Sequence, residues 1–517
     1  MSDQPAPPRS PRTVRWWPAR LILVAATLGF GSLWFIPHVS QQEFNIQVAQ
    51  IIIITIVLLL LWILLFSRMR WRARFAVLGL VIGGFGLMAA LFRIHGVSGN
   101  LVPILEPRWV RREFPPPMAV APVAWLKAQT SVSDFPQFLG PNRDGRLAGP
   151  NLATNWTEQP PAQLWRVPVG AAWSGFAVVG AVAITQEQRG AEECVIAYDL
   201  QTGKVFWSHA DKRRYFDTLA GEGPRATPTI AGQRVLSQGA TGLLNCLDLA
   251  DGHALWSKDI FEANGGSLPS WGEAISPLVL HDLVIVSAGG PKEAALVAYR
   301  VADGSLAWSS GTQRAGYSSP VAATLAGTEQ ILLFADALIG SDATTGKELW
   351  RFPWPGGHPH VSTPVIAGDS DVVISSGYGT GSARVEVERD KAGQWSAKKV
   401  WRTNRMKAKF TDLILHRGYI YGLDDGIMEC IDAGTGALAW KDGRYGHGQT
   451  LLAAELLLVM AESGEVVLLD PQPDKLRELT RFKALDGKTW NPPALAGEYL
   501  LVRNDKEAAC FRMPVRN

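Results

Sequence analysis

The residues of this sequence best suited to chemistry are aromatic, basic and acidic side chains that stand just before a series of short apolar segments. Arginine and lysine hold anions, and aromatic rings stack on planar groups. Together they predict a site for an anionic, planar molecule. The candidates are Trp173, Arg225, Trp271, Glu273, Tyr317, His360, Lys409, Asp412, His447, Trp490 and Asn491, accompanied by His358 and Lys407. A second interpretation, which we favour, is that such mixed residues simply line a water-filled channel.

Other side chains give weaker signals. The sequence His358-Pro359-His360 presents two imidazoles, but no third ligand is near, so a turn is a better interpretation than a metal site. The cysteines include no CxxC motif and no adjacent pair, and we expect buried free thiols. They are Cys194, Cys246, Cys430 and Cys510. No catalytic residue and no metal ligand set is predicted.

The balance of charge argues against a nucleic-acid partner. A net charge of +3 and a pI of about 8.6 are mild, whereas phosphate-binding domains concentrate their basic residues in one patch. The excess of basic residues here lies beside the apolar stretches that precede residue 93. We therefore expect no nucleic acid among the partners.

A repeated phrase sets the spacing of the candidate residues. It consists of an apolar strand ending mostly in Asp, a turn ending in Gly, and a strand ending in Trp. The Thr-Gly and Asp-Gly pairs supply the positive φ of a tight turn, so the recurring Asp residues are structural. Clear copies lie at 198–207, 247–256, 299–308, 341–350 and 431–440, and degenerate copies end at Trp401 and Phe482. Their spacing of about 40–50 residues is typical of one four-stranded propeller blade each.

Each repeat also begins alike, with a small residue and a proline before an apolar strand. Examples are Thr227-Pro228, Ser276-Pro277, Ser319-Pro320 and Thr363-Pro364. The last set, at 491–511, lacks its final Trp strand, and residues 163–167 offer a matching strand upstream. Such a strand would close the ring and remove its open edge. We therefore predict an all-β, eight-bladed β-propeller.

Three uncharged apolar stretches, at 21–36, 46–66 and 75–92, precede the repeats. A helix needs about 20 residues to cross the hydrocarbon core, so the first stretch is marginal. It could be a signal peptide, but no small-x-small cleavage pattern follows it, and we interpret it as a retained helix. About three transmembrane α-helices are predicted within a membrane region at 21–93.

Basic residues predict the orientation of this region. Four Arg precede the first stretch, none lies at 37–45, and four lie at 67–74. Because Lys and Arg beside spans stay in the cytoplasm, residues 1–20 are predicted to be a cytoplasmic leader. Everything after residue 92 is then outside, which in a bacterium gives a multi-pass inner-membrane protein with its propeller in the periplasm or exterior. The Pro-rich residues 94–133 predict a semi-rigid linker, and residues 134–517 the propeller.

The third stretch contains Gly79, Gly83, Gly84 and Gly86, which permit close helix approach. We expect packing among this chain's own helices, with homodimerisation as the alternative. No Asp, Glu, Lys or His lies within any stretch. A transporter, proton relay or haem-bearing domain is therefore not predicted, and the lipid bilayer is the expected partner.

On these residues the sequence resembles the PQQ-like, quinoprotein-type propellers, whose repeats carry Ala-Leu-Asp-x-x-Thr-Gly-x-x-x-Trp. The segment 134–145, Asp-Phe-Pro-Gln-Phe-Leu-Gly-Pro-Asn-Arg-Asp-Gly, resembles a motif that precedes bacterial PQQ-binding-like repeats. The resemblance covers 134–517 and implies an eight-bladed ring with one of two functions. Quinoprotein dehydrogenases oxidise alcohols or sugars with PQQ and Ca²⁺, whereas BamB-like assembly factors use the ring, without a cofactor, as a protein-binding scaffold.

Two features of the dehydrogenases that this sequence lacks favour the scaffold function. Many of the dehydrogenases carry a vicinal disulfide against the quinone, and this sequence has no Cys-Cys pair. They also build their sites from long insertions between blades, and the repeats here are compact. We expect a membrane-anchored periplasmic binding or scaffold module for an envelope protein partner or ligand, without a cofactor. The alternative is a membrane-bound PQQ-dependent alcohol or sugar dehydrogenase with Ca²⁺.

Overall fold

The computed structural model describes residues 13–35, 40–110, 131, 133–290, 293–355 and 357–516. The chain forms two compact units, Met1–Arg112 and Glu113–Asn517. The helices of the first unit are Trp17–Ser32 (α1), Gln41–Leu61 (α2), which a π-helical turn at Trp62–Phe66 continues, and Trp71–Leu91 (α3).

Within the described residues, two helical segments are long and apolar enough to cross a membrane, Gln41–Phe66 and Trp71–Leu91. Helix α1 has 16 residues and spans about 24 Å at 1.5 Å per residue, which is short of the ~30 Å hydrocarbon core. It starts with Pro18 in its first turn, where proline is favoured, and ends four residues before the predicted stretch does. Of the three helices predicted as spans, two therefore meet the requirement of length and hydropathy within the described residues.

The small-residue face of α3 is uncovered. A Cβ built on Gly79, Gly83, Gly84 or Gly86 would meet no described atom within 4 Å. Helices α1 and α2 contact each other instead. The expected packing of this face against the chain's own helices is not observed in the described unit.

A β-hairpin follows α3 directly. Its strands are Phe92–Val97 (β1) and Pro103–Pro107 (β2), paired antiparallel with a bulge between Ile94 and Gly96. The sequence predicted only a linker here, because the segment is rich in proline and has no usable periodicity. Prolines are nevertheless tolerated where a strand has a free edge, as in this two-stranded ribbon. Most of the predicted linker, residues 111–130 and 132, lies outside the described residues.

The second unit is built almost wholly of strands. Arg146–Leu147 (β3) and Ala162–Pro168 (β4) come first. Blade 1 consists of Ala177–Val179 (β5), Val182–Arg189 (β6), Glu192–Asp199 (β7) and Val205–Asp211 (β8). A small hairpin, Phe216–Asp217 (β9) and Gly221–Glu222 (β10), separates it from blade 2, which has Thr229–Ala231 (β11), Arg234–Gln238 (β12), Leu243–Asp248 (β13) and Ala254–Asp259 (β14).

A short helix, Ile260–Asn264 (α4), precedes blade 3, which has Leu278–Leu280 (β15), Leu283–Val286 (β16), Leu296–Arg300 (β17) and Leu306–Ser310 (β18). Blade 4 has Val321–Leu325 (β19), Thr328–Phe334 (β20), Ala337–Asp342 (β21) and Glu348–Pro353 (β22). Blade 5 has Val365–Ile366 (β23), Asp371–Ser376 (β24), Gly381–Arg389 (β25) and Trp395–Thr403 (β26).

Blade 6 has Ile414–His416 (β27), Tyr419–Asp424 (β28), Ile427–Asp432 (β29) and Leu438–Arg444 (β30). Blade 7 has Gln449–Ala453 (β31), Leu456–Met460 (β32), Glu465–Leu469 (β33) and Glu478–Lys483 (β34). Blade 8 begins with Ala494–Ala496 (β35), Tyr499–Arg503 (β36) and Glu507–Arg512 (β37).

Strand β4 is the fourth strand of blade 8. It pairs antiparallel with β37 and places Trp165 opposite Cys510. The first strands of neighbouring blades contact one another and surround the axis. The predicted eight-bladed ring and its closing strand are therefore confirmed. The four cysteines are buried and free, as expected.

Tryptophans of the repeat join neighbouring blades at the outer side of the ring. Trp207 of blade 1 donates through Nε1 to the Leu249 carbonyl of blade 2 at 2.8 Å. Its ring covers Gly252, where φ is +75° and a Cβ would lie 2.3 Å from the indole. We call this set of contacts the outer ring. The other Trp and Gly pairs in it are Trp165 with Gly203, Trp256 with Gly304, Trp308 with Gly346 and Trp401 with Gly436.

Residues 133–147, here called the axial segment, run along the inside of the propeller. Phe135 pairs with Val178 in β5, and the Pro136 carbonyl accepts from Ile230 in blade 2 at 2.8 Å. The segment ends as β3, parallel to β31 of blade 7. Its Phe135 side chain is 2% exposed. The axial segment therefore occupies the channel that the first strands of the blades surround.

Candidate functional site

The residues that precede the first strands form a ring of hydrogen bonds between blades. The Gly175 amide donates to Thr227 Oγ1 at 3.0 Å, the Thr227 amide to Ser276 Oγ at 2.9 Å, and the Ser276 amide to Ser319 Oγ at 3.0 Å. Ser318 Oγ then donates to the Ser362 carbonyl at 3.0 Å. We call this set the inner ring. It gives the Ser-Pro and Thr-Pro pairs of the sequence a structural role.

Two candidate ligand residues belong to the inner ring. Asp412 Oδ1 accepts from both the amide and the hydroxyl of Thr363, at 2.6 and 2.7 Å. Asn491 Nδ2 donates to the carbonyls of Ala172 and Ser174, at 3.0 and 2.8 Å. Both side chains are buried. Asp412 and Asn491 therefore hold neighbouring blades together at the positions that Ser and Thr occupy in other repeats.

Arg143 of the axial segment reaches the level of the inner ring. Its guanidinium donates to the carbonyls of Ser276 and Pro277, at 2.8 and 2.9 Å. Burial lowers the pKa of Arg143 to about 9 against the attraction of Asp412. Burial likewise raises the pKa of Asp412 above its ordinary value, and its hydrogen bonds with Thr363 oppose this. The axial segment thus meets the blades just beneath the mouth of the channel.

Aromatic side chains of several blades contact one another at the mouth. Trp173 and Trp490 have ring centroids 5.0 Å apart, and Phe410 lies 4.9 Å from Trp490. Trp271 lies 5.7 Å from Tyr317 and 6.5 Å from Tyr378. All are partly exposed. We call them the aromatic rim: Trp173, Trp271, Tyr317, Tyr378, Phe410 and Trp490.

Two lysines contact rings of the aromatic rim, Lys409 from a buried position and Lys488 from a partly buried one. Lys409 Nζ is 5.0 Å from the Tyr378 ring and 5.3 Å from the Phe410 ring. Lys488 Nζ is 4.5 Å from the Trp173 ring and 4.0 Å from the Trp490 ring. Burial lowers the pKa of each lysine to about 8. The rim therefore combines stacking surfaces with amines that are largely protonated at neutral pH.

Arg225 lies beside the rim and is engaged by its own loop. The guanidinium stands 4.4 Å from the Tyr215 ring centroid and donates to the Gly221 carbonyl at 2.9 Å. It also bonds the Gly223 carbonyl. Burial lowers the pKa of Arg225 to about 10. Its principal contacts are thus within residues 215–225.

Glu273 and His360 make contacts outside the rim. Glu273 Oε1 accepts from the amides of Ala274 and Ile275, at 3.1 and 2.9 Å, and burial raises the pKa of Glu273 to about 8. His360 is stacked 4.8 Å from Phe334, and burial lowers its pKa to about 4.

Three further predicted residues stand at other places around the mouth. His447 is 5.6 Å from Phe410, and burial lowers its pKa to about 4. His358 stacks on Tyr378 at 5.0 Å, and Lys407 pairs with Asp424 at 2.7 Å.

The structure therefore divides the predicted site. Trp173, Trp271, Tyr317, Lys409 and Trp490 meet at the rim, while the others hold the fold or lie beside it. Sequence reasoning missed Tyr378, Phe410, Lys488 and Arg143. Phe410 directly follows Lys409, which was a usable signal. Tyr378 lies in the turn between the second and third strands of blade 5, a position that was not considered.

The two candidate carboxylates at the mouth, Glu273 and Asp412, are engaged by groups of the fold. Ca²⁺ takes six to eight oxygen ligands, usually with several carboxylates. Among the described residues no group of three His, Cys, Asp or Glu side chains could hold a metal ion. Glu273 and Asp412, the candidate carboxylates, bond backbone and hydroxyl groups of the fold.

The second unit is an eight-bladed β-propeller whose channel holds the axial segment and whose mouth carries the aromatic rim. Residues 191–442, just under half of the chain, match the family model described as outer membrane protein assembly factor BamB. The predicted resemblance is thereby confirmed. A comparison with curated proteins found no match.

Solved structures of two kinds share the fold. BamB from Moraxella catarrhalis is 16% identical, with a TM-score of 0.51, covering 69% of this chain and 99% of that one. Quinohemoprotein alcohol dehydrogenase from Comamonas testosteroni is 13% identical, with a TM-score of 0.52, covering 74% and 82%. A europium-containing methanol dehydrogenase is also 13% identical, with a TM-score of 0.56, covering 72% and 90%. At such identities the likeness is one of fold.

Proposed function

We propose that this protein is a membrane-tethered binding module, whose aromatic rim takes up a protein of the cell envelope on the outer side of the inner membrane. The observation that carries the proposal is the aromatic rim above a channel that the axial segment already fills. Tryptophan, tyrosine and arginine are the side chains most enriched at the centres of protein interfaces. A filled channel with a partly exposed aromatic mouth suits a surface contact better than an enclosed reaction.

The lysines would give this surface a preference for acidic or aromatic side chains of a partner. Lys409 and Lys488 place positive charge against the rings of the rim. An aromatic or acidic side chain of the partner would meet both a stacking face and a cation. The expected partner segment is therefore an acidic loop that carries an aromatic residue.

Site-specific photo-crosslinking from the full-length protein in native membranes tests the proposal. A photoreactive residue at Trp271 is expected to form an adduct with one discrete envelope protein. The matched control is the same residue at Leu306, an exposed position on the outer strand of blade 3, which should give no such adduct. Equal adducts from both positions, or none from Trp271, would contradict the proposal.

The dehydrogenase alternative is tested with the same preparation. The purified full-length protein is mixed with PQQ and Ca²⁺, and its absorbance and dye reduction with alcohols and sugars are measured. We expect no cofactor spectrum and no reduction. PQQ-dependent dye reduction that is lost on Trp490→Ala would replace the binding module by the enzyme.

A further inference from the structure

The hairpin β1–β2 has two chemically different faces. On one face Arg93 donates to Glu106 at 2.8 Å, and His95 lies 3.5 Å from the same carboxylate. On the other face Ile94 and Leu105 stand opposite each other in the register. These two side chains are 58% and 51% exposed. The charged groups are thus paired with each other, while the apolar pair is uncovered within its unit.

Further apolar side chains extend the uncovered face. Val102 in the turn is 51% exposed, and Trp109, just after β2, is 65% exposed. Trp109 lies 6.1 Å from Phe92, the first residue of the hairpin. We call this set the apolar hairpin face: Ile94, Val102, Leu105 and Trp109. So many large exposed apolar side chains within one short hairpin indicate a contact surface.

Contacts within the first unit fix where this face lies. Arg108 donates through Nε to the carbonyls of Ala89 and Phe92, at 2.8 and 3.2 Å, and so caps the last turn of α3. At the turn of the hairpin, the Asn100 carbonyl accepts from Asn45 Nδ2 at 2.9 Å, in the first turns of α2. The hairpin is therefore held to the ends of both candidate spans on the same side.

From this placement we infer that the apolar hairpin face lies in the interfacial layer of the bilayer, on the side to which α3 delivers the chain. The inference rests on the proposed membrane anchoring. The hairpin starts at the residue after the last residue of α3, so its depth is that of the lipid headgroups. Tryptophan and apolar side chains with a charged face opposite are the composition that favours this layer. The occupant of the face is lipid.

The hairpin would then limit the direction of the chain after α3. A chain that left the membrane directly at Leu91 could change direction by rotation about the backbone of a single residue. A ribbon that is fixed to α2 and α3 and lies on the lipid surface would restrict the direction of the chain up to the end of β2.

Fluorescence quenching in nanodiscs tests the inference on the full-length protein. Single cysteines at Ile94→Cys and Leu105→Cys carry an environment-sensitive dye, and the four native cysteines, each no more than 1% exposed, are shielded from labelling. Lipids brominated near the headgroup end of the acyl chain should quench both probes at least threefold more than a probe at Arg93→Cys on the opposite face. Aqueous iodide should quench them least.

Two results would overturn the inference. Probes at Ile94 and Leu105 that respond to iodide as strongly as the Arg93 probe would place the face in water. Probes shielded from both iodide and brominated lipid would mean that a second copy or another protein covers it. Failure of the anchoring itself would appear separately, as loss of the wild-type chain from alkali-washed membranes.

Discussion

Two rings of contacts join the blades of this propeller, and they differ in chemistry. In the outer ring the indole of one blade covers the Gly of the next, as Trp207 covers Gly252. In the inner ring hydroxyl, carboxylate and amide groups bond backbone groups of the neighbouring blade, as Ser276 does with Thr227. The outer ring depends on buried area and shape, and the inner ring on satisfied hydrogen bonds.

The two rings also differ in how much variation they accept. In the outer ring five junctions keep the Trp and Gly pair, and Trp350 departs from it by donating to Gln330 of its own blade at 2.6 Å. The inner ring changes residue type from blade to blade and uses Asp412 and Asn491 where others use Ser or Thr. An acceptor or donor of any kind can satisfy a backbone group, whereas only glycine fits beneath an indole at positive φ.

The largest effect is expected in the outer ring. Trp207→Ala should lower the free energy of unfolding by ~3–5 kcal/mol, because a buried indole and its hydrogen bond are lost. Chemical denaturation of the full-length protein in detergent, followed by near-UV circular dichroism, measures it. Trp207→Phe, which keeps an aromatic ring, should lower the free energy of unfolding by less. Equal losses for the Ala and Phe variants would contradict the packing argument.

Glu273, just before the inner ring, should make stability depend on pH. Its pKa in the folded state is raised to about 8 from an ordinary value near 4.5, so the folded protein retains a proton that the unfolded chain has released. Stability from this group is complete below pH 4.5 and is lost as pH rises through 8. Between pH 5 and 9 the free energy of unfolding of Glu273→Gln should therefore fall by ~2–4 kcal/mol less than that of the wild-type protein. Parallel profiles for the two proteins would be inconsistent with this.

In the inner ring, Asp412→Ala should lower the free energy of unfolding by ~1–3 kcal/mol, because the amide and hydroxyl of Thr363 lose their acceptor. Asp412→Asn retains an acceptor oxygen and should recover part of the loss. Thermal unfolding of the three proteins at one pH compares them. If Asn behaves like Ala, the hydrogen bonds to Thr363 do not stabilise the ring.

The smallest effect is expected at a glycine of the outer ring, where comparison with a second glycine distinguishes backbone strain from packing. Gly252 and Gly232 both have positive φ, +75° and +56°, but only Gly252 would place a Cβ against an indole. Gly252→Ala should therefore destabilise the protein by ~1–2 kcal/mol more than Gly232→Ala does. Urea midpoints measure the difference, and equal midpoints would leave strain as the whole explanation.

The difference between the rings also explains what the sequence could predict. The Trp and Gly phrase is local and periodic, so it gave the eight blades, their order and the closing strand near Trp165. The role of Asp412 could not be predicted, because an Asp that replaces Ser in a hydrogen bond between blades looks in sequence like a ligand. Arg143 lies far along the chain from Ser276, which it contacts. Only the fold brings the two together.

The first unit shows the same limit. Hydropathy identified the candidate spans at 46–66 and 75–92, because composition alone decides whether a helix is apolar enough. The hairpin β1–β2 was missed, because its prolines and glycines have no periodic signal and its stability comes from pairs such as Arg93 with Glu106.

Closure by β4 has a consequence for synthesis of the chain. Trp165 is made early, whereas its partner Cys510 follows about 345 residues later, which at 5–20 residues per second is a delay of roughly 20–70 s. During that interval blades 1–7 can form in order while β4 has no partner strand. An unpaired strand edge recruits other chains, so the delay exposes each nascent molecule to aggregation until β37 has left the ribosome.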